Sequence, residues 1–343
     1  MRVFVVGATG AIGRRLVPQL IERGHDVVAT FRSSTASAER LRVAGAEIVP
    51  LDLLDDAAVH RAVSEAKPDA IVHEATALSG GGFSRKLDKT FALTNQLRTA
   101  GTVALLAAAL DAGVERVVAQ SFAPYRYVRE GGMVKTEEDP LDPTSPKGAH
   151  ESTAAMGYLD RAVTDFGGIA LRYGGFYGEP DDQIVRMVRR RRYPMIGDGG
   201  GVVSWVHLDD AAAATVLAID HAGPAIYNIV DDEPAATSEW LPVLAQALGA
   251  KPPRHFPTWI VKLVAGEDAV MGATQSRGAS NAKAKRELGW ELRYPTWRLG
   301  FFAVHSPTMA GSSPRTKPDR RVSSQISPPL NGAPTGARTK KGS

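Results

Sequence analysis

The chain opens MRVFVVGATGAIGRR, and this stretch restricts the fold more than any other. Val3 to Val6 is a Val-rich apolar run too short for a helix, Gly7, Gly10 and Gly13 follow three residues apart, and Leu16, Val17, Leu20 and Ile21 then recur at helical spacing. The order is strand, glycine turn, helix. A glycine at 7 lets the chain turn sharply, one at 10 lets a pyrophosphate approach the backbone without meeting a Cβ, and one at 13 lets helix and strand pack closely. The exposed N–H groups and positive dipole at the helix start favour a phosphate. Gly7, Thr9, Gly10, Ala11, Ile12 and Gly13 are therefore read as a dinucleotide-binding set.

The alternation continues. His25 to Phe31 reads as a second strand with Arg32, Ser33 and Ser34 at its end. An acidic residue there would bind the ribose 2′-hydroxyl of NAD, whereas an arginine with hydroxyls suits the 2′-phosphate of NADP. No Asp or Glu stands at that strand end, so NADP is expected as cofactor over NAD through Arg32 and Ser33, with Arg14 able to help by folding back over the phosphate. Glu47 to Leu51 is a third strand ending in Asp52-Leu53, where a carboxylate can accept from the adenine amino group and a leucine can cover the ring. Asp55 and Asp56 suit the start of the next helix. Ala70 to His73 is a fourth strand, and the small residues Ala75, Thr76 and Ala77 after Glu74 let the backbone run beside the cofactor. His73 has no second His or Cys at ligand spacing, so no metal is expected.

Ser79 to Phe83 reads as a glycine-rich loop. A helical stretch from Leu87 to Ala112, with a buried stripe of Leu93, Leu97, Leu105, Leu106 and Leu110, leads to a fifth strand from Arg116 to Ala119 ending at Gln120-Ser121. Strands alternating with helices through short links predict an α/β fold: a doubly wound parallel sheet, Rossmann-like, with its ligand crevice beyond the carboxyl ends of the strands.

Ile169 to Tyr173 reads as a sixth strand, Gly174 to Gly178 as a turn, and Ile184 to Arg192 as a helix whose four terminal arginines suit a solvated end better than a phosphate clamp. A strand at Val202 to Val206 leads to a helix with Asp209 or Asp210 as N-cap and His207 as an anchor near the lobe interface. Ala225 to Val230 is another strand, followed by a helix to about Leu248 capped by Thr237 or Ser238. Short helices at 257–264 and 282–288 build a smaller C-terminal lobe.

Composition narrows the class. There is no cysteine, which removes disulfides, thiolate metal sites and Cys nucleophiles and fits a reducing, cytoplasmic setting. No run of about 18 apolar residues exists, so no membrane span is expected. The net charge is +4, but the segment from Val304 on holds +6, leaving about −2 on the rest, which argues against nucleic acid as a partner. That segment is rich in Ser, Pro, Gly and Thr and reads as a disordered basic tail. The expected organisation is a dinucleotide-binding domain at 1–175, a substrate lobe at 176–303 interleaved with the same sheet, and a tail at 304–343.

The chain resembles the extended short-chain dehydrogenase/reductase superfamily, in its NAD-dependent epimerase/dehydratase group. The residues that carry the likeness are GATGAIG at Gly7 to Gly13, Asp52-Leu53, Arg116 to Ser121, LRYGGFYG at Leu171 to Gly178, WVHLDDAAAA at Trp205 to Ala214 and KAKRELGW at Lys283 to Trp290. It covers about residues 1 to 303. The resemblance implies a Tyr phenolate, tuned by a Lys four residues on and assisted by a Ser, that moves a proton while the nicotinamide moves hydride.

This chain departs from that pattern. The relevant helix reads HESTAAMGYLDRAV from His150, and matching Asp160 to the family's acidic residue places Ser152 and Met156 where Tyr and Lys belong. No Tyr precedes a Lys by four positions anywhere in the chain. Arg98 and Gly175 stand where the resemblance implies asparagines, and Phe122 takes the usual serine position with Ser121 one residue early. Ser121 and Tyr125 are the catalytic candidates, with Tyr127, Lys135, His150 and Glu151 as other proton donors or as ordinary loop and helix-start residues. Tyr177 either contacts cofactor or substrate or packs, and Ser276-Arg277-Gly278 either lines the substrate cleft or ties the lobe down. The expected function is an NAD(P)-binding oxidoreductase, epimerase or dehydratase acting on a small carbonyl or sugar-derived substrate, with a homodimer as the assembly to look for. The alternative is a non-catalytic NADP(H)-binding redox sensor.

Overall fold

Alternation within the first strand decides the layering. In the computed structural model, which describes residues 1–33, 35–78, 87–122, 127–142 and 148–305, Val3 and Val5 belong to one apolar cluster and Phe4 and Val6 to another. Successive side chains on a strand point to opposite faces, so a strand apolar throughout must be covered on both. The strands are β1 (Arg2–Val6), β2 (Asp26–Phe31), β3 (Glu47–Pro50), β4 (Ala70–His73), β5 (Arg116–Phe122), β6 (Ile169–Tyr173) and β7 (Ala225–Ile229). They form one parallel sheet in the order β7-β6-β5-β4-β1-β2-β3. The chain order reverses at β1, which is the doubly wound arrangement with its crevice at the switch point.

One face of the sheet is covered by α1 (Gly13–Glu22), which buries Leu16, Val17 and Leu20, and by the alanine-rich α2 (Leu208–Ile219). Val59, Val63 and Leu105 cover the other face. Asp55 caps the helix Asp56–Ala66 by accepting from Ala58 N at 3.0 Å. The described residues to His305 all fall within one compact unit. Ser34, the loop at 79–83, Tyr125 and the tail from 306 lie outside the described residues. Among the described residues no helix is long and apolar enough to cross a membrane.

Several local expectations are corrected. The stretch Leu87 to Ala112 is helical as expected but not uniform: Phe91 interrupts it, and a π-turn at Leu97–Gly101 joins Ala92–Gln96 to Thr102–Asp111. Within Thr102–Asp111, Ala104, Leu105, Ala108 and Ala109 face inward, whereas Leu110, five residues past Leu105 and so about 140° round the helix, is 72% exposed. Gly174 to Gly178 contains no simple reversal: Gly175–Tyr177 is a strand parallel to Trp205–His207. A Cβ on Gly174 would meet Ser204 O at 2.6 Å, so this glycine serves close strand approach. Val202–Val203 instead pairs antiparallel with Ala235–Ala236, which splits the single strand expected there.

Neither Asp209 nor Asp210 caps α2. The cap is His207, whose Nδ1 accepts from Asp209 N at 3.1 Å, while Asp210 accepts from Arg293 N and Tyr294 N at 2.8 and 2.9 Å. His207 also stacks on Tyr294, so it anchors the segment around residue 294. Thr237 and Ser238 do not cap Thr237–Ala247: that helix starts after Ala236 with no side-chain cap, and loop carbonyls of Gly201 and Gly199 take the two N–H groups at 3.0 Å. Three helices go beyond the sequence expectation, Thr35–Val43, Glu267–Gln275 and Trp297–His305. Trp297 and Phe301 of the last complete an aromatic lobe core with Tyr177, Trp205 and Trp240.

Candidate active site

The glycine turn is built from backbone contacts. Gly7 has φ +84, and a Cβ there would lie 2.6 Å from Glu74 C and Ala75 N, so the end of β4 runs directly against it. A Cβ on Gly13 would lie 2.5 Å from the carbonyl oxygens of Gly7 and Ala8. Gly10 differs: its absent Cβ would meet only Gly7 O, at 3.1 Å, and otherwise open space. Gly10 and Ala11 are exposed, Thr9 is half-buried, and the Ile12 N-cap offers no side-chain hydrogen bond to the start of α1. A cradle left open by a missing Cβ, in front of an uncapped helix N-terminus, fits a pyrophosphate. Arg14 has Nε on Gly10 O at 3.2 Å and Nη2 on Glu179 at 3.0 Å; Arg15 joins Glu179 to Asp209.

The remaining cofactor candidates sit along the same sheet edge. Arg32 and Ser33 are exposed at the end of β2. Asp52 is exposed and accepts from Leu54 N at 3.1 Å, while Leu53 is buried against Gly101. Ala75, Thr76 and Ala77 are half-buried, and Ala77 N donates to Thr94 Oγ1 at 3.0 Å. His73 accepts from Ala75 N through Nδ1 and reaches Leu97 O through Nε2, both at 3.3 Å. Burial holds its pKa down at about 4, so it is a neutral structural side chain.

Sequence reasoning gives Glu74 no role. Burial pushes its carboxyl up to about 8, Tyr173 donates to Oε1 at 2.9 Å, and the Tyr173 hydroxyl also lies 2.5 Å from Thr215 Oγ1. Only its place after an apolar strand end hints at this burial.

The region expected to transfer protons is a side-chain network. Ser121 donates to Asp160, which also receives Arg172 Nε at 3.0 Å. Arg172 Nη1 donates to the Tyr127 hydroxyl at 3.2 Å, and that hydroxyl donates to Asn228 Oδ1 at 2.7 Å. All five are buried, and burial raises the Tyr127 phenol, so Tyr127 is a member of this network and not an exposed acid. Lys135 is likewise committed, to Glu130 O and Asp139, whereas His150 and Glu151 are exposed on the first turn of α3 (His150–Asp165). On α3, Met156 is buried, and Ser152 Oγ donates to Asp88 at 2.9 Å and accepts from Asn95 Nδ2 at 3.1 Å. Asp88 also accepts from Ser152 N at 2.8 Å, capping the helix from another segment. Tyr177 packs in the lobe core, edge-on to His207 and Phe301. Arg277 donates to Arg129 O and Gln275 O, tying two loops together.

The parallel sheet and its glycine cradle define a Rossmann-type dinucleotide-binding fold. Residues 3–230 match the NAD dependent epimerase/dehydratase family, and the chain belongs to it. The 3-diazoavenalumate denitrifying reductase of a Streptomyces species is 39% identical over 312 residues, covering 88% of this chain and 99% of the relative. The UDP-glucose 4-epimerase of Mycolicibacterium smegmatis is 30% identical over 311 residues, covering 85% and 93%. Among solved structures, a Thermus thermophilus UDP-glucose 4-epimerase complex with NAD superposes with a TM-score of 0.67 at 25% identity, over 91% of this chain and all of that one.

Proposed function

We propose that this protein is a nicotinamide-dinucleotide-dependent reductase whose substrate needs no tyrosine acid. The observation that carries the reading is α3, where Ser152 and Met156 stand at the positions the family resemblance gives to Tyr and Lys. Met156 has no proton to give, and the Ser152 hydroxyl is held between Asp88 and Asn95. Gly7, Thr9, Gly10, Ala11, Ile12 and Gly13 would hold the pyrophosphate, Asp52 and Leu53 the adenine, and Ala75, Thr76 and Ala77 the face beside the nicotinamide. Arg32 and Ser33, with no acid at the end of β2, favour the 2′-phosphate of NADP over NAD. When bound, the reduced coenzyme supplies a hydride.

A carbonyl acceptor builds negative charge on oxygen and calls for a general acid. An aryl diazonium acceptor does not: hydride forms a C–H bond, the C–N bond breaks, and its electron pair leaves with dinitrogen. The name of the Streptomyces relative points to this substrate class. Ser121 and Tyr125 remain the candidates if a carbonyl or sugar-derived substrate is used instead. A homodimer is expected through the exposed Val103 and Leu110 of Thr102–Asp111, and a cytoplasmic setting from the absence of cysteine.

Loss of NADPH absorbance in a stopped-flow instrument tests the reading, with aryl diazonium acids in one panel and aldehydes, ketones and nucleotide sugars in the other. Faster turnover of the diazonium panel, with dinitrogen released, supports it. Equal or faster turnover of the carbonyl panel overturns it, and coenzyme binding without turnover of either panel supports the redox-sensor reading.

A further inference from the structure

Two stretches of the C-terminal half contain no acidic residue. Residues 183–197 hold five arginines, and residues 240–266 hold Lys251, Arg254 and Lys262, with no Asp or Glu in either. The fold lays them side by side. His255–Phe256 pairs in parallel with Met195–Ile196, Met195 N donates to Arg254 O at 2.9 Å, and Arg191 Nε donates to Pro252 O at 3.0 Å. Arg186 and Arg189 share Asp181, and Lys262 pairs with Glu267. Arg190, Arg192, Lys251 and Arg254 are exposed and meet no acidic side chain among the described residues.

From the same edge the chain enters α4 (Thr258–Ala265), whose polarity is inverted. Val261 faces inward and is buried, while Trp259, Leu263 and Val264 are 64%, 71% and 74% exposed, and Phe256 is exposed just before them. A surface helix ordinarily turns its apolar stripe toward the core. Here the larger apolar side chains face water. The helix start lies beside the strand that follows the arginine turn, since a Cβ on Gly197 would lie 2.8 Å from Thr258 Cγ2.

Unpaired cations beside exposed Trp, Leu and Val make a surface suited to an anionic bilayer: the apolar groups enter the boundary between headgroups and acyl chains and the cations meet phosphates. A second copy on the same patch would bring like charges together. A nucleic acid would use the cations but leave the aliphatic side chains in water. We propose that this face docks the protein on anionic phospholipid, with Trp259, Leu263 and Val264 inserted and Arg190, Arg192, Lys251 and Arg254 on the headgroups. This is a contact at the membrane surface and involves no spanning helix.

Co-sedimentation of the full chain with vesicles of equal parts phosphatidylglycerol and phosphatidylcholine tests this, with phosphatidylcholine alone as control. The protein should pellet with the anionic vesicles, less so at high salt, and stay in solution with the neutral ones. Arg190→Ser with Arg192→Ser, at exposed positions that leave packing untouched, should weaken the partition roughly fivefold for each cation removed. Leu263→Ser with Val264→Ser should weaken it further, with thermal melting unchanged. Equal partition into both vesicles overturns the proposal. So do variants that pellet like the parent chain, which would assign binding to the basic segment after residue 304. A patch-dependent change in oligomeric mass, or patch-dependent RNA binding, without vesicle binding overturns it as well.

Discussion

Around Gly7 to Gly13 the decisive contacts are backbone against backbone, and a side chain at Gly7 or Gly13 would occupy space already filled by the chain. Around Ser121, Ser152 and Arg172 the decisive contacts are side chain to side chain, and each depends on a partner far away in sequence. The first region can be formed by almost any sequence that keeps its glycines. The second can be rebuilt one residue at a time, because a serine where the family resemblance puts a tyrosine needs only new partners such as Asp88 and Asn95. On the proposed reading, the coenzyme half keeps the family pattern while the proton-transfer half departs from it.

The largest expected effect comes from Gly13→Val. Its Cβ would sit 2.5 Å from two carbonyl oxygens, so soluble folded protein should be lost, read by circular dichroism; a folded variant would break the backbone half of the comparison. Asp160→Ala comes next. It leaves the Arg172 guanidinium buried without its carboxylate, a loss of about 3–5 kcal/mol in urea unfolding. A loss near that of an exposed ion pair, below about 1 kcal/mol, would mean the network adds little.

A pH series sharpens the comparison further. Glu74 is raised from 4.5 and Asp231 from 3.8, both to about 8, chiefly by burial. Between those values the folded chain holds protons that the unfolded chain has released. Their contribution is therefore fully present below the unfolded pKa and is lost as pH rises through about 8, each proton giving a slope of about 1.4 kcal/mol per pH unit. Glu74→Gln should flatten the fall in stability between pH 4.5 and about 8, and Asp231→Asn should remove a further share. An unchanged slope in both would contradict the burial argument. The smallest effect is expected from Ser152→Ala: if the hydroxyl moves no proton, the rate of hydride transfer should stay within about threefold, less than about 1 kcal/mol. A loss of about a hundredfold would make Ser152 an acid.

The parts of the fold legible in the sequence are those set by period and by glycine. β1, β2, β4 and the first helix follow from apolar runs and the Gly7, Gly10, Gly13 spacing, since these are local signals. The π-turn at Leu97–Gly101 leaves no such trace, and the leucine stripe puts Leu110 on the wrong face. His207 as cap is hidden behind two better cap residues, and Asp210 serves Arg293 and Tyr294, far along the chain. In the site, the glycine turn can be read because it needs little beyond backbone shape. The Ser121–Asp160–Arg172–Tyr127 chain cannot, because no spacing rule links residues brought together by separate elements.

Isothermal titration of the full chain with NADPH and NADH tests the central claim, that a dinucleotide rests at the turn between β1 and α1. One site per chain is expected, tighter for NADPH, with the affinity lost in Gly10→Val, whose side chain would enter the open cradle while the fold is kept. Heat from neither coenzyme, or identical binding by Gly10→Val, would contradict it.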